Sequence, residues 1–421
     1  MTVQPPNPNR TTIPTLMLVT DVPFWLDRRG SSERIAQMLK YLVTFCDVTI
    51  CFIGELSVSQ WNQGLRDTNV KWCGPGLPGR AMRTAVGWVD RLTKEHRATN
   101  APRPYAGGSH QSVSLIDFES DVIADYVADQ VMSMDADVVL LEYVALSYLC
   151  NRLRNPGGPL LVIDTHDVMH ARSRELEAVG EKNWLNISLQ QEMDALSSAD
   201  AVLAIQEREA ALLRNHLPEH SICLVKHAAE LRRKESKQKR PNEFAIGFVG
   251  SVGIANTKSI EFFLKECWPA ILRQSNPNPI LRIGGGLQKN DLDPLLNLDN
   301  VEFVGRFDDS NQFYASIDVA INPAIIASGL KIKSIDAIAH ATPLVSTEAG
   351  LAGLESSIGH CSVQSNDWSQ FTDSLVSIAN SPERLAELTD NCATYVESQL
   401  NPNTVYAELR ELIMKSVEVR S

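Results

Sequence analysis

The sequence lacks the features that mark membrane-spanning, secreted and nucleic-acid-binding proteins. No apolar run approaches the ~20 residues that a spanning helix needs, and the polar, proline-rich start MTVQPPNPNRTT has no apolar core of a signal peptide. The 39 basic residues are outnumbered by 51 acidic ones, and a net charge of −12 argues against nucleic acid as the main partner. We therefore expect a cytoplasmic protein. Peripheral contact with the inner face of the membrane stays open, because a substrate could be lipid-linked.

Two kinds of motif are also missing. The eight cysteines are scattered, without a CxxC pair or zinc-like spacing, and several lie in apolar runs such as YLVTFCDVTICF. This pattern predicts buried thiols in a reducing compartment. The loop after the first predicted strand contains no GxGxxG, so a nicotinamide-dependent oxidoreductase is not supported.

The sequence does contain apolar strand patterns that alternate with helix patterns, over a length of 421 residues that suits two domains. Strands are predicted at 13–20, 48–53, 137–142 and 160–164, and a long helix over 183–200. The charged segment KHAAELRRKESKQKRPNE has no apolar periodicity and is predicted to be a linker. The predicted division is a disordered tail at 1–12, an amino-terminal Rossmann-like domain at 13–225, the linker at 226–243 and a carboxy-terminal Rossmann-like domain at 244–395.

The stretch DVAINPAIIASGLKIKSIDAIAHATPLVSTEAG predicts a strand at 319–322, a loop, a helix over about 330–340 and a strand at 343–346. The loop would lie at the carboxyl end of its strand, where open α/β sheets bind ligands. Backbone N–H groups at the start of the helix could converge on an anion. The residues concerned are Gly329, Leu330 and Lys331, with Lys331 and Lys333 adding positive charge.

Asp336 lies at the edge of the apolar stripe of this predicted helix. A half-buried carboxylate needs a hydrogen-bond donor, and a ribose diol is one candidate. The alternative is an ion pair with Lys333 or His340 along the same helix. The residues alone do not decide between the two.

The motif SGLKIKSIDAIAHATPLVSTEAGLAGL resembles the donor site of the GT-B retaining glycosyltransferases of family 4, or group 1. The resemblance continues through FAIGFVGSVGIANTKSIEFFLKECWPAI, LRIGGG and VEFVGRFDDSNQFYASIDVAINP. It implies an α/β protein with two Rossmann-like, doubly wound domains facing each other across a cleft, and a last helix (396–421) that packs back on the amino-terminal domain. The implied reaction moves a sugar from a nucleotide-diphospho-sugar to an acceptor hydroxyl with retention of configuration, without a metal or other cofactor. The acceptor would be a glycan, a lipid-linked molecule or a small molecule.

The resemblance also implies donor-binding positions in the carboxy-terminal domain. Two departures stand out. Ser251 and Asn256 replace an arginine and a lysine that grip the diphosphate, and Ser328 replaces the earlier of two glutamates, while Asp336 keeps the charge of the later one. Arg306 would lie against the nucleobase, although a solvated loop arginine is an equal alternative. The implied donor-binding residues are Gly250, Ser251, Arg306, Ser328, Gly329, Leu330, Lys331, Lys333 and Asp336.

In the amino-terminal half, the strand at 160–164 ends in DTHDVMHARS. The resemblance assigns His166 and Asp167 to the catalytic, sugar-facing side. The alternatives are a histidine satisfied in the core, an aspartate that caps the next helix and, least favoured, a metal site that includes His170. Gly30 and Ser31 match an acceptor- or sugar-side loop, or else an ordinary turn.

Residues 56–115 contain Trp61, Trp72, Trp88 and a run of basic residues. They could contact an acceptor or a membrane surface, or they could simply coat a solvated face. Two other functions remain open on this sequence. One is a sugar-nucleotide epimerase of the same fold, and the other is a non-catalytic relative that binds nucleotide-sugars, which the loss of charge at Ser328 motivates.

Overall fold

The computed structural model describes residues 13–26, 30–75, 113–178, 180, 182–232, 243–307, 309–325, 331–354 and 362–420. The chain divides into two compact units. The first comprises Met1–Lys226 together with Tyr406–Ser421, and the second comprises His227–Val405. Each unit is built on one parallel sheet with helices.

The sheet of the first unit has the order β3-β2-β1-β4-β5-β6-β7, with every pairing parallel. The order reverses between β1 and β4, which places a topological switch point at the carboxyl ends of these strands. The strands are almost wholly buried, as expected for a parallel sheet covered on both faces. Their bounds are β1 (Thr15–Thr20), β2 (Asp47–Phe52), β3 (Lys71–Cys73), β4 (Val138–Glu142), β5 (Leu160–Asp164), β6 (Ala201–Ala204) and β7 (Ser221–Leu224).

The helices of the first unit start where the sequence supplies caps. Ser57 and Ser188 each form a capping box with a glutamine three residues later, which satisfies N–H groups that a helix start leaves open. The bounds are α1 (Gly30–Leu42), α2 (Val58–Thr68), α3 (Asp121–Ser133), α4 (Tyr148–Leu153), α5 (Met169–Glu177), α6 (Leu189–Leu196) and α7 (Glu207–His216).

The sheet of the second unit has the order β10-β9-β8-β11-β12-β13, again parallel throughout, and its order reverses between β8 and β11. The strands are β8 (Glu243–Gly250), β9 (Asn278–Gly285), β10 (Val301–Gly305), β11 (Val319–Asn322), β12 (Leu344–Ser346) and β13 (Ser362–Gln364). The helices are α8 (Ile254–Glu266), α9 (Trp268–Gln274), α10 (Ser310–Ala315), α11 (Ile332–Ala339), α12 (Trp368–Ala379), α13 (Pro382–Tyr395) and α14 (Pro402–Val405).

The last helix, α15 (Ala407–Arg420), belongs to the first unit. Tyr406 just before it is fully buried and packs on Tyr41 of α1, with ring centroids 5.0 Å apart. Glu408 accepts the N–H of Leu224 at 2.8 Å, and the Arg420 guanidinium donates to the carbonyl of Ala136 at 2.5 Å. The end of the chain therefore completes the first unit.

The start of the predicted linker is ordered against the second unit. The N–H of Ala229 donates to the carbonyl of Leu400, and the N–H of Arg232 donates to that of Ala339, at 2.8 and 2.7 Å. Residues 233–242 lie outside the described part of the chain. The described part of this segment, His227 to Arg232, thus packs as part of the second unit.

In the 56–115 region, Trp61 is buried in the first unit and Trp72, which packs against it, is partly buried. Trp61 is only 3% exposed, and its ring lies 5.1 Å from that of Trp72, which in turn packs edge-on against Trp25 at 4.6 Å. A surface-contact role for Trp61 is therefore wrong. Trp88 and the basic run lie outside the described residues. Among the residues that are described, no helix combines the length and apolar character needed to cross a membrane.

Candidate functional site

The carboxyl ends of β8 and β9 meet closely in the second unit. The carbonyl of Gly250 accepts the N–H of Gly286 at 2.9 Å. Gly285 has φ +101°, and a Cβ there would lie 2.3 Å from the Gly250 oxygen. Only glycine fits such an approach, and the two strand ends form a low backbone floor at the switch point.

A chain of hydrogen-bonded polar side chains lies at these strand ends. Asn256, in the first turn of α8, donates to the carbonyl and to the hydroxyl of Ser251 at 3.1 and 3.2 Å. Its side-chain oxygen accepts from the Lys333 ammonium at 2.7 Å. Lys333 Nζ also lies 4.8 Å from the centroid of the Phe248 ring. The ammonium of α11 is therefore held at the carboxyl end of β8, beside Ser251.

The Lys333 ammonium has only neutral partners, an amide oxygen and an aromatic face, and no carboxylate contacts it among the described residues. Burial, with repulsion from Lys331 as a second cause, lowers the pKa of Lys333 to about 7. A partly buried cation without a counter-anion is a site that an anionic ligand would stabilise.

The carboxylate of Asp336 lies one turn further along α11 and is about one-third exposed. Its Oδ1 is 3.5 Å from the guanidinium of Arg232. The ring of His340 instead contacts the backbone carbonyl of Asp336 at 2.6 Å, and Lys333 is turned toward Asn256. The partner shown for the carboxylate is thus a residue that the sequence analysis did not consider.

Other predicted donor-binding residues are only partly placed. Ser328, Gly329 and Leu330 lie outside the described residues, so the predicted anion loop has no described geometry before Lys331. Arg306 is exposed just after β10, two strands away from β8 in the sheet order. Of the predicted set, the structure brings Gly250, Ser251 and Lys333 together.

A buried network that the sequence did not reveal fixes the start of α11. Asn322, at the end of β11, donates to the Ser334 hydroxyl at 2.8 Å and to the Gly350 carbonyl at 3.0 Å, and Ser334 donates to the same carbonyl at 2.7 Å. A Cβ at Gly350 would lie 2.4 Å from the Asn322 carbonyl. This network sets where Lys333 emerges from the helix.

In the first unit, His166 follows β5 and is 5% exposed. Its Nε2 lies 2.5 Å from Oε2 of Glu142 at the end of β4, and 3.9 Å from Oδ2 of Asp164. Arg34 of α1 donates to both oxygens of Asp164 at 2.7 Å. The four side chains form one buried chain, which we call the Arg34–Glu142 tetrad.

The two carboxyls of the tetrad differ in their electrostatics. Burial is the largest influence on both and favours the neutral form. It keeps the pKa of Glu142 above its usual value, although His166 opposes it. For Asp164 the Arg34 guanidinium, followed by His166, outweighs burial and holds the pKa below its usual value. Asp164 is therefore the ionised partner of Arg34.

Glu142, Asp164 and His166 offer ligand atoms within 4.8 Å of one another, a spacing that a metal ion could bridge. The residues fit a metal poorly, because Arg34 already occupies both oxygens of Asp164 and would repel a further cation. His170, which the sequence suggested as a ligand, is not in this group. Its N–H donates to Glu192.

Asp167 does not cap the helix that follows it. The helix α5 has Val168 at its cap position, without a side-chain cap bond. Glu192 accepts the N–H groups of Met169 and His170 at 2.7 and 2.8 Å, while the Asp167 carboxylate pairs with Arg172 at 2.7 Å. The capping alternative is therefore wrong, because a residue 25 positions away supplies the cap. Burial raises the pKa of Glu192 to about 7.

Gly30 and Ser31 form the first turn of α1, one turn before Arg34. Gly30 is exposed and Ser31 is partly buried. Residues 27–29, which precede them, lie outside the described part of the chain. The sequence predicted Gly30 in the loop and a helix from about Ser31, and in the structure the helix begins one residue earlier, at Gly30. The acceptor- or sugar-side role of the two residues stays a prediction.

Comparison with known proteins finds a family match within the second unit. Residues 243–381 match the family described as glycosyl transferases group 1. The resemblance drawn from the sequence is confirmed for this stretch, which contains Gly250, Lys333 and Asp336.

Solved structures extend the similarity to the whole fold. Sucrose-phosphate synthase from Thermosynechococcus elongatus has a TM-score of 0.64 at 13% identity, covering 96% of this chain and 100% of that one. HepE from Anabaena, solved in complex with UDP, gives 0.62 at 11% identity with the same coverage. A glycosyltransferase from Rickettsia africae gives 0.63 at 13% identity, covering 96% and 99%. The predicted class, two Rossmann-like units of the GT-B fold, is confirmed.

A curated relative is described as an uncharacterized 44.6 kDa protein in the cps region of Klebsiella pneumoniae. It is 21% identical over 171 residues. The match spans 38% of this chain and 44% of that protein, less than half the length of either.

Proposed function

We propose that the protein transfers a sugar from a nucleotide-diphospho-sugar to an acceptor hydroxyl, with retention of configuration. The observation that carries the proposal is the partly buried ammonium of Lys333, which has no anionic partner among the described residues and lies at the strand ends of the group 1 stretch. A leaving diphosphate develops charge in the transition state, and a pre-aimed cation in a site shielded from water stabilises that charge.

In this proposal the diphosphate contacts Lys333, and also Lys331 and the backbone N–H groups around Gly329. Asp336 binds the ribose hydroxyls, and Arg306 lies at the nucleobase. His166 and Asp167 are on the sugar or acceptor side. The ammonium supplies the positive charge, so the proposed reaction needs no metal ion or other cofactor. The acceptor class is a glycan, a lipid-linked molecule or a small molecule.

The first experiment is a thermal-shift screen with UDP-, GDP- and ADP-sugars. A ligand at 100 times its dissociation constant stabilises the folded state by about 2.7 kcal/mol, so the matching nucleotide should raise the melting temperature clearly. The Lys333→Met variant should lose the shift. Lys265→Met is the control, since Lys265 is an exposed lysine of the same unit.

Turnover of a labelled donor, with and without acceptor pools, then separates the remaining possibilities. Transfer to an acceptor supports the proposal, and anomeric analysis of the product tests retention. A changed nucleotide-sugar without an acceptor would indicate an epimerase. Binding without turnover across all donors would indicate a non-catalytic relative, and absence of binding by every nucleotide would reject the proposed donor site.

A further inference from the structure

Tyr143 and His166 share an uncommon backbone conformation. Tyr143 directly follows β4, and His166 follows β5 after Thr165; the last residues of the two strands are paired in register. The φ angles of Tyr143 and His166 are 74° and 57°. Left-handed values at residues other than glycine are strained and persist where the surrounding structure enforces them. Here they bring the two rings face to face, with centroids 4.1 Å apart and planes inclined by 16°.

This backbone bend makes the orientation of the His166 ring definite. Tyr143 covers one face of the ring, and Trp184 packs edge-on against Tyr143 at 5.7 Å. At the ring's edge, Nε2 forms a hydrogen bond with Oε2 of Glu142 at 2.5 Å. The ring is therefore fixed both by stacking and by a hydrogen bond.

The other ring nitrogen, Nδ1, is not used by these contacts. His166 Nδ1 is buried and has no hydrogen-bond partner among the residues that the structure describes, and the same holds for Oε1 of Glu142. Buried polar atoms are nearly always paired, so an exception in a native fold calls for an explanation. Both orphan atoms belong to the same hydrogen-bonded pair at the carboxyl ends of neighbouring strands.

The hydrogen-bond partners of the ring favour one tautomer. The groups that face it are Glu142 from β4, Asp164 from β5 and, through Asp164, Arg34 from α1. If Nε2 carries the hydrogen, it donates to Glu142, and Nδ1 is an unpaired acceptor. If Nδ1 carried it instead, an N–H would be buried without an acceptor, which costs more.

We propose that Glu142 is the positioning residue of His166. The Glu142 carboxylate accepts a hydrogen bond from Nε2, so that Nδ1 is the ring atom that accepts a hydrogen bond from a hydroxyl group of the sugar substrate. The identity of the ligand rests on the proposed function, but the hydrogen bond between Glu142 and His166 does not. A neutral Nδ1 accepts a hydrogen bond from a hydroxyl and cannot donate to a phosphate oxygen, so the chemistry is that of a sugar hydroxyl.

The hydrogen bond between Glu142 and His166 is tested without any substrate. Nitrogen-15 NMR of the imidazole rings reports which nitrogen carries the hydrogen, and His166→Asn identifies its signals among the nine histidines. We expect the wild-type ring to show hydrogen on Nε2 and a bare Nδ1. The proposal would be overturned by the wild-type spectrum alone if the hydrogen is on Nδ1, or if the ring exchanges between the two tautomers as free histidine does in water.

Two substitutions of Glu142 separate positioning from packing. In Glu142→Gln the amide oxygen can still accept from Nε2, so the ring should keep its tautomer. In Glu142→Leu, which has a similar volume, the ring should lose its fixed tautomer. The matched control is Glu192→Gln, a buried glutamate of the same unit that caps α5 and does not contact His166. It should leave the His166 signals unchanged.

Kinetics add a second readout. Glu142→Leu should lower kcat/KM by about 10- to 100-fold, the range for residues that orient metal-bound histidines, while Glu142→Gln keeps most of it. Equal losses in both variants with an unchanged tautomer would overturn the proposal. If no donor is turned over by the wild type, the proposed function fails, and the NMR result still decides whether Glu142 sets the ring.

Discussion

The ammonium of Lys333 lies 2.7 Å from the side-chain oxygen of Asn256, although the two residues are 77 positions apart. The cation at the end of β8 therefore comes from α11 and not from the loop that directly follows β8. This arrangement accounts for the uncharged residues Ser251, in that loop, and Asn256, in the first turn of α8. The polar side chains there orient a positive charge that arrives from elsewhere in the chain.

Lys333→Met should weaken binding of nucleoside diphosphates by about 10- to 150-fold, because a hydrogen bond to a charged group contributes about 1.5–3 kcal/mol. Titration calorimetry with UDP, GDP and ADP measures this directly. Lys265→Met, which removes an exposed lysine, should bind as the wild type does. Equal affinities for Lys333→Met and the wild type would remove the diphosphate from this place.

The same lysine predicts a pH dependence of donor binding. The pKa of Lys333 is about 7 in the ligand-free protein, and a diphosphate stabilises the charged form and raises that pKa. Affinity should therefore be highest below pH 7 and fall as the pH rises toward 9, with proton uptake on binding. A nucleotide-sugar is the probe of choice, and Lys333→Arg should flatten the profile because arginine stays charged. A flat wild-type profile would contradict the assignment.

Lys333 should also reduce the stability of the free protein. Its pKa in the folded state lies below the ordinary value of 10.5, so the unfolded chain binds more protons between about pH 7 and 10.5, and stability rises with pH across that window. Below pH 7 the cost of burying the cation is fully present. Lys333→Met should accordingly raise the melting temperature at pH 6, by about 1–4 °C, while it loses ligand binding. A lower melting temperature would show that the contacts to Asn256 and Phe248 outweigh the burial of charge.

The strand and helix pattern around α11 could be predicted from the sequence, since apolar periodicity and the turn residues agree there. The helix start at 183 was wrong, because Ser188 supplies a capping box and the helix begins at Leu189. Asn183 instead donates to the hydroxyl of Ser173 in a buried bond. Local periodicity does not reveal such a competing contact.

Contacts between distant residues were not predictable from one sequence. His166 was singled out from its place at a strand end, but its partner Glu142 is 24 positions away and reads as part of an apolar strand. Arg34 gave no signal at all, because its role depends on Asp164, 130 positions later. Only the sheet register brings these residues together.

Asp336→Ala should raise the apparent KM for the donor about tenfold or more, since a carboxylate that accepts from ribose hydroxyls contributes charged hydrogen bonds. Steady-state kinetics with the nucleotide-sugar found in the screen provides the measurement. Arg232→Ala removes the partner seen in the structure. If its effect matched that of Asp336→Ala, the carboxylate would serve the ion pair and not the ribose. Asp373→Ala, at an exposed position of α12, serves as the neutral comparison.

Arg34 should be far more important for stability than its position near the start of the chain suggests. It is 2% exposed and donates to Asp164 and to the carbonyl of Val225. Arg34→Met leaves a buried carboxylate without its partner and should destabilise the first unit by about 3–5 kcal/mol. Calorimetry provides the measurement. The double variant Arg34→Met with Asp164→Leu should recover part of the loss, and a double variant as unstable as the sum of the single ones would argue against a coupled pair.

The return of α15 to the first unit has a consequence for biosynthesis. The buried face of Tyr406, Leu409 and Ile413 leaves the ribosome after all of the second unit has been made. The nascent first unit therefore exposes the apolar surface around Tyr41 until α15 has been synthesised, while the second unit can already fold. Chaperones should consequently bind mainly to the first unit during synthesis. Truncated chains that lack α15 should leave that unit incompletely folded.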